Sequence, residues 1–446
     1  MTTIAENMTI NSTLSLRKRV SKSTLAVFAV NGTGMLLLFV SQIVLARIIG
    51  AVEFGIYSYV LSWLGVLALA GKAGLDSALQ RFIPEYAAKQ QWGLCHGVLR
   101  RGYQISFLAS LLLVALAWLL SPLILSSVEK SYTVYILLMA ALLPLSVLLR
   151  ITQSALLAFK RPAIAHLTES VLQSLVLIAG AVAVGMYARS AATSVTMLGL
   201  HLLAFTASLA AGIYLLGRRV IPPQVATAAA EYDTRHWMTV AFPLFVISSM
   251  YVLMSYTDTV MLGMLADTTV SGIYAATSRI ALLVSLPLVF INSVLIPYIA
   301  SLYHGDRFTD LQYIVTMASR TAGLLALPVF IILGVSGDVV LGLFGEEFTS
   351  GKTALNILIA GQLVNVLSGS VGALLMMTGQ HHFAAKVVTL CAMLNILLNY
   401  LLIPEFGING AAAATAITVI IWNAVFVAST RRRIGIKPTI FAGLNK

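Results

Sequence analysis

Charge is what this sequence lacks most: Asp, Glu, Lys and Arg make up only 10% of its 446 residues. A soluble domain carries about 25% charged residues, so a water-soluble globular protein is excluded. Acidic residues are the scarcer sign, 16 against 28 Lys and Arg. The two cysteines, Cys95 and Cys391, are far apart and give neither a disulfide framework nor a metal site. There is no Gly-rich phosphate loop, which excludes an ATP motor, and no His-Glu-x-x-His motif or Cys/His cluster. An enzyme is not expected, nor is any cofactor or metal. The first residues are polar with a basic cluster and lack a short apolar run with a cleavage site, so no cleavable signal peptide is expected.

What remains is apolar. Hydrophobic residues make up 59% of the chain, and its mean hydropathy is +0.93. A spanning helix needs about 20 mostly apolar residues. Twelve such runs occur, at 25–46, 53–75, 103–126, 132–156, 163–187, 193–216, 238–264, 270–297, 314–335, 353–377, 383–403 and 409–429. They are long and continuous, not the alternating pieces of a membrane barrel. With the N-terminus inside, 23 of the 28 Lys and Arg fall on the cytoplasmic side, four fall outside, and Arg279 is left within a span. That bias predicts an all-α polytopic protein of about twelve helices with both termini cytoplasmic. The net charge of +12 is then membrane topology, and nucleic acid is not an expected partner.

An internal repeat sets the organisation. Gly55-Ile56-Tyr57 recurs as Gly272-Ile273-Tyr274 at an offset of 217, and Ala155-Leu156-Leu157 as Ala373-Leu374-Leu375 at 218. Six helices per half keep both halves in one orientation, so the repeats are parallel. The expected units are a six-helix bundle at 1–217, a Pro- and Ala-containing cytoplasmic linker at 218–237 that reads as a hinge or tether, and a second bundle at 238–446.

Five runs carry a family resemblance across nearly the whole chain: LARIIGAVEFGIYSYV, GLDSALQRFIPEY, DTVMLG…GIYAATSRI, GALLMMTGQ and LNILLNYLLIPEFGINGAAAATAI. Together they resemble the polysaccharide-transport branch of the multidrug/oligosaccharidyl-lipid/polysaccharide flippase superfamily. The resemblance implies two bundles forming a V around a cavity lined by the first two helices of each half. It implies alternating access and translocation of a polyprenyl-diphosphate-linked oligosaccharide unit for surface polysaccharide synthesis. A bacterial cytoplasmic membrane is the expected location. The expected partners are the lipid-linked oligosaccharide, the bilayer and a polysaccharide polymerase or export complex. Peptidoglycan lipid II flippases usually carry two further helices and a strongly basic cavity, which this sequence lacks. An ion-coupled multidrug or cation antiporter of the same fold is the competing reading.

Ionisable groups inside a bilayer are costly and usually mark a pathway, a pair or a ligand. Asp258 lies about 10 Å and Arg279 about 13 Å below the outer ends of consecutive helices, at 1.5 Å per residue. The pair reads either as an anion and coupling site, with Arg279 on a diphosphate and Asp258 titrating, or as a permanent ion pair. Their repeat equivalents are Ser41 and Ser62. Asn31 and Tyr274 are further candidates for substrate binding, Tyr274 also as an outer-interface aromatic like Tyr57. Glu169, with His166 three residues earlier, is a candidate for ion coupling, and alternatively pairs with Lys160 or Arg161. Asp76, Arg81 and Glu85 are candidates for a cytoplasmic gate, Arg81 and Glu85 pairing at i, i+4 unless Pro84 breaks the helix. His201 reads as a hydrogen-bonded core histidine, and Glu346 and Glu347 as solvated charge.

Overall fold

In hydrocarbon every backbone amide must find its partner within the spanning segment, and a helix does this residue by residue. The computed structural model is accordingly helical, with no strand among the described residues, 2–119 and 132–440. Side chains of residues 2–29 and of several positions within 243–251 and at 132 and 297 lie outside that description. Arg17, Lys18, Arg19, Lys22, Lys130, Lys446 and the rings of Pro243 and Pro297 therefore fall outside it.

The helices used below are α1 (Thr2–Lys72), α2 (Leu75–Ala88), α3 (Trp92–Leu119), α4 (Tyr132–Ala158), α5 (Pro162–Tyr187), α6 (Ser194–Leu215), α7 (Thr234–Leu265), α8 (Thr268–Ala281), α9 (Leu286–His304), α10 (Phe308–Gly342), α11 (Lys352–Ser368), α12 (Val371–Met377) and α13 (His381–Arg433). Among the described residues, eight helices are long and apolar enough to cross a membrane, or nine if the bent α11–α12 pair is one span. Two of them change direction at a glycine in the left-handed region, α1 at Gly50 (φ 72°) and α13 at Gly407 (φ 51°). Each break falls between two of the spans expected from hydropathy. Helix α8 passes into α9 through a 3₁₀ turn, Leu282–Ser285, immediately before Pro287. A π-helical turn, Leu167–Leu172, interrupts α5.

The two halves meet at the repeated Gly-Ile-Tyr. A Cβ on Gly272 would lie 2.4 Å from Gly55 Cα, and one on Gly55 would lie 2.1 Å from the Thr268 carbonyl oxygen. The second arm of α1 and the start of α8 therefore cross backbone to backbone. The tyrosines beside these glycines are not surface aromatics: Tyr57 is 0% and Tyr274 2% exposed. Close by, Glu347 Oε2 accepts the Ala51 amide N–H at 2.9 Å. This carboxylate caps the arm of α1 that follows Gly50 and ties the second half to the first. Reading Glu347 as merely solvated missed this bridge, since a cap is set by a chain segment nearly 300 residues away.

The segment 218–237 is also more than a tether. Trp237 is fully buried, and its indole N–H donates to the Tyr86 hydroxyl at 2.8 Å. The Glu231 amide donates to the Gly93 carbonyl at 3.0 Å, and His96 Nδ1 lies 2.8 Å from the Ala228 carbonyl. A Cβ on Gly97 would fall 1.6 Å from the Glu231 carbonyl oxygen, so the linker lies directly on α3.

Candidate functional site

Apolar helices that cross at glycines on one end leave a space where larger side chains hold them apart. Here a chamber of about 450 Å³ is lined by α1, α4, α5, α6, α7 and α8. Three cations line it, Lys72, Arg150 and Arg279. Lys72 is paired with Asp76 at 2.6 Å, four residues on. Arg150 is paired with the buried Glu169 on the π-helical turn of α5. Arg279 instead donates to the side-chain oxygen of Gln42, in the first half. Among the described residues it has no carboxylate partner. A guanidinium has five N–H donors in a planar fork, so one amide leaves most of its capacity toward the chamber.

Gln42 continues into the first half. The Tyr57 hydroxyl lies within hydrogen-bonding reach of Gln42 and 2.8 Å from His201 Nδ1. His201 Nε2 is 3.1 Å from the Gln173 amide nitrogen, and its ring packs edge-on against Phe205. His201 is thus the hydrogen-bonded core histidine expected, and it also lines the chamber.

Asp258 does not face Arg279, and no ion pair joins them among the described residues. The Asp258 carboxylate accepts from the Tyr274 hydroxyl at 2.5 Å, from Asn399 Nδ2 at 2.7 Å and from the Thr415 hydroxyl. Asn399 Nδ2 also donates to Asn395 Oδ1 at 3.1 Å, and Asn395 Nδ2 to the Thr415 hydroxyl oxygen at 3.3 Å. Helical geometry explains the separation. Tyr274 turns toward Asp258, and Arg279 lies five residues further, about 140° around α8 at 3.6 residues per turn. Asp258 is 4% exposed, and among the described residues the buried Asn399 side-chain oxygen has no partner. Three side-chain donors offset the desolvation of this buried carboxylate.

The remaining candidates separate from these two centres. Asn31 is half-buried beside Gly32 and lines neither of the cavities that contain Arg279. Glu169 reaches Arg150, and no ion pair with Lys160, Arg161 or His166 occurs among the described residues. Helix α2 runs through Pro84, yet Glu85 pairs with Lys89 at 2.7 Å and not with Arg81, whose guanidinium lies 5.8 Å from the Phe82 ring centre. The Lys89 hydrogen bond holds the Glu85 carboxyl below its usual range. Either partner satisfies i, i+4 spacing, and the expected pair loses because Lys89 lies on the same side of Glu85 as the helix C-terminus, where a cation is favoured. Sequence reading passed over Gln42, Arg150, Asn395, Asn399 and Thr415. The available signal was the i, i+4 pair of asparagines in an otherwise apolar run, LNILLNYLL.

Comparison with known proteins bears on the same regions. Residues 20–303 match the family described as "Polysaccharide biosynthesis protein", and residues 243–401 match the MatE family. A Haloferax volcanii protein named "Probable flippase AglR" is 29% identical over 196 residues, covering 42% of this chain and 40% of that protein. "Probable low-salt glycan biosynthesis flippase Agl15" of the same organism is 27% identical over 165 residues, 37% of this chain and 35% of its own. The matched stretches thus span well under half the length of these relatives. Among solved structures, an inward-facing multidrug resistance MATE family transporter of the MOP superfamily superposes with a TM-score of 0.77 at 14% identity, covering 92% of this chain and 98% of its own. Lipid II flippase MurJ in an inward closed conformation superposes with a TM-score of 0.70 at 16% identity, covering 91% and 87%. With a family model matched over more than half its length, this chain belongs to the polysaccharide biosynthesis protein family.

Proposed function

We propose that the protein translocates a polyprenyl-diphosphate-linked oligosaccharide unit across a cytoplasmic membrane by alternating access. Arg279 carries the reading: of the three chamber cations it is the one without a carboxylate partner among the described residues. A half-buried guanidinium with spare donors suits a diphosphate, which it grips through charge-assisted, bidentate bonds. The curated relatives carry names of glycan-assembly flippases, which supports the same class. Both are archaeal, so no bacterial source follows from them.

In this reading the chain has twelve spans. Helices α1 and α13 contribute two each, the continuous α8–α9 span and the bent pair α11–α12 one each, and both termini are cytoplasmic. The halves are 1–217 and 238–446, joined by the packed segment 218–237. The conformation is closed on the outside at the Gly55–Gly272 crossing and holds its chamber toward the cytoplasm, near Lys72 and Arg150. Asp258 with Asn395, Asn399, Thr415 and Tyr274 is the coupling site for a proton or monovalent cation. A polysaccharide polymerase or export complex consumes the product on the far side.

An antiporter of cationic drugs is the second reading, favoured by the MatE match over 243–401. Such a carrier needs an uncompensated carboxylate facing its substrate. The chamber has an uncompensated cation, and its carboxylate Glu169 is already paired. The test is translocation by Arg279→Ala protein in proteoliposomes. Loss of polyprenyl-diphosphate oligosaccharide flipping in folded protein is expected, by roughly a hundredfold for a truncated buried charge contact. Undiminished flipping refutes the anion site.

A further inference from the structure

Arg279 stands at the head of an apolar stripe. Leu283, Leu286, Phe290 and Val294 follow it at helical spacing, so head and stripe share one face of the α8–α9 span. A 3₁₀ turn and Pro287 follow Arg279 within this span. Beyond that turn, α9 and α10 leave a cleft of about 1050 Å³ with an almost wholly apolar lining. Its second wall is another helical stripe, including Met317, Ala318, Thr321 and Leu325 of α10.

This cleft does not end at the bilayer. A slot of about 570 Å³ between the first arm of α1 and the α8–α9 span shares Leu283, Leu286 and Phe290 with the cleft. The same slot shares Leu38, Gln42 and Arg279 with the polar chamber. Three spaces therefore adjoin in series through shared lining residues: polar at Lys72, Arg150 and Glu169, cationic at Arg279, and apolar from Leu283 to Tyr298. The polarity changes once, at the guanidinium.

We propose that the cleft between α9 and α10 holds the polyprenyl tail of the substrate while Arg279 holds its diphosphate and the chamber takes the oligosaccharide. This deepens the reading of Arg279 and rests on it. A molecule with a sugar head, two phosphates and a long hydrocarbon tail has the same order of chemistries along its length. The slot lets the tail remain in lipid as the head enters between the halves, so the hydrocarbon is never drawn through the polar chamber. The tail runs from Arg279 toward the His304 end of α9, which the Lys/Arg bias puts at the cytoplasmic leaflet. That is where a substrate awaiting translocation has its tail. The occupant is thus a specific substrate segment and not bulk lipid.

The experiment uses full-length protein in proteoliposomes and two substrates with one head group, one bearing a long polyprenyl tail and one a two-isoprene tail. Ala318→Trp and, separately, Thr321→Trp fill the cleft from α10 without touching the chamber. The expected result is a fall of about tenfold in flipping of the long-tailed substrate, the size of one lost apolar side-chain contact, with the short-tailed substrate unchanged. Unchanged short-tail flipping also reports that the variants fold. Equal losses for both substrates, or no loss for either, overturn the proposal. A photoreactive long-chain polyprenyl diphosphate should label α10 near Met317, and competition by unlabelled long-chain substrate should remove the label. Labelling abolished equally by added phosphatidylcholine means bulk lipid fills the cleft and also overturns it. Arg279→Ala lowers both substrates together. If it lowers neither, the diphosphate reading fails, while the tail-length contrast of Ala318→Trp still decides the cleft.

Discussion

The two halves differ most at positions that the repeat makes equivalent. Ser41 and Ser62 of the first half stand where the second has Asp258 and Arg279. Each serine bonds its own helix, Ser41 to the Leu38 carbonyl at 2.7 Å and Ser62 to the Ser58 carbonyl at 2.8 Å. The two charges instead reach other helices, Asp258 to α13 and Arg279 to α1. The repeated tyrosines show the same contrast. Tyr57 meets a histidine, whereas Tyr274 donates to a carboxylate. At these two positions, polar contacts to other helices are made in the second half, while the first-half serines bond within their own helix.

The strongest way to break the arrangement is to restore bulk where the copies touch. Gly272→Leu drives a side chain into Gly55 Cα, so the two helices cannot cross as they do here. Transport should be lost, and a cysteine beside Ala51 should become labelled from outside. Normal transport by this variant means the crossing is not a gate. Next in size is Asp258→Asn, which removes the charge of the proposed coupling site while leaving donors in place. It should abolish the dependence of transport on an ion gradient and leave substrate binding intact. Equal loss of binding in this variant and in Arg279→Ala would mean that the two residues act as one unit.

The tyrosine pair sharpens the contrast. Tyr274→Phe strips a donor from a buried carboxylate and should shift the ion dependence of transport. Tyr57→Phe removes a neutral hydrogen bond and should cost about 1 kcal/mol of stability, read as a small drop in Tm without altered ion dependence. Reversal of that order would put the coupling chemistry in the first half. Smallest of all, Ser41→Ala and Ser62→Ala remove bonds made within one helix, and transport should be unchanged.

Much of this architecture was legible before any coordinates. Apolar runs mark out an all-helical membrane chain, and the Gly50 and Gly407 breaks fall where the runs are interrupted. The repeat was visible too, but its meaning was misplaced. The tyrosines of Gly-Ile-Tyr drew attention, whereas the glycines make the contact between halves. Charged candidates stood out against hydrocarbon, so Asp258 and Arg279 were easy to find. Their partners were not, because Gln42, Asn395, Asn399 and Thr415 are neutral and lie within long apolar runs. Which face of α8 each charge meets depends on helical phase, and that phase separates two residues whose similar depth suggested a pair.

The most direct measurement is binding of a polyprenyl-diphosphate oligosaccharide to purified, folded protein, comparing Arg279→Gln with Asp258→Asn. A one-sided anion site predicts roughly a hundredfold weaker Kd for Arg279→Gln and an unchanged Kd for Asp258→Asn. Unchanged binding by Arg279→Gln would contradict it.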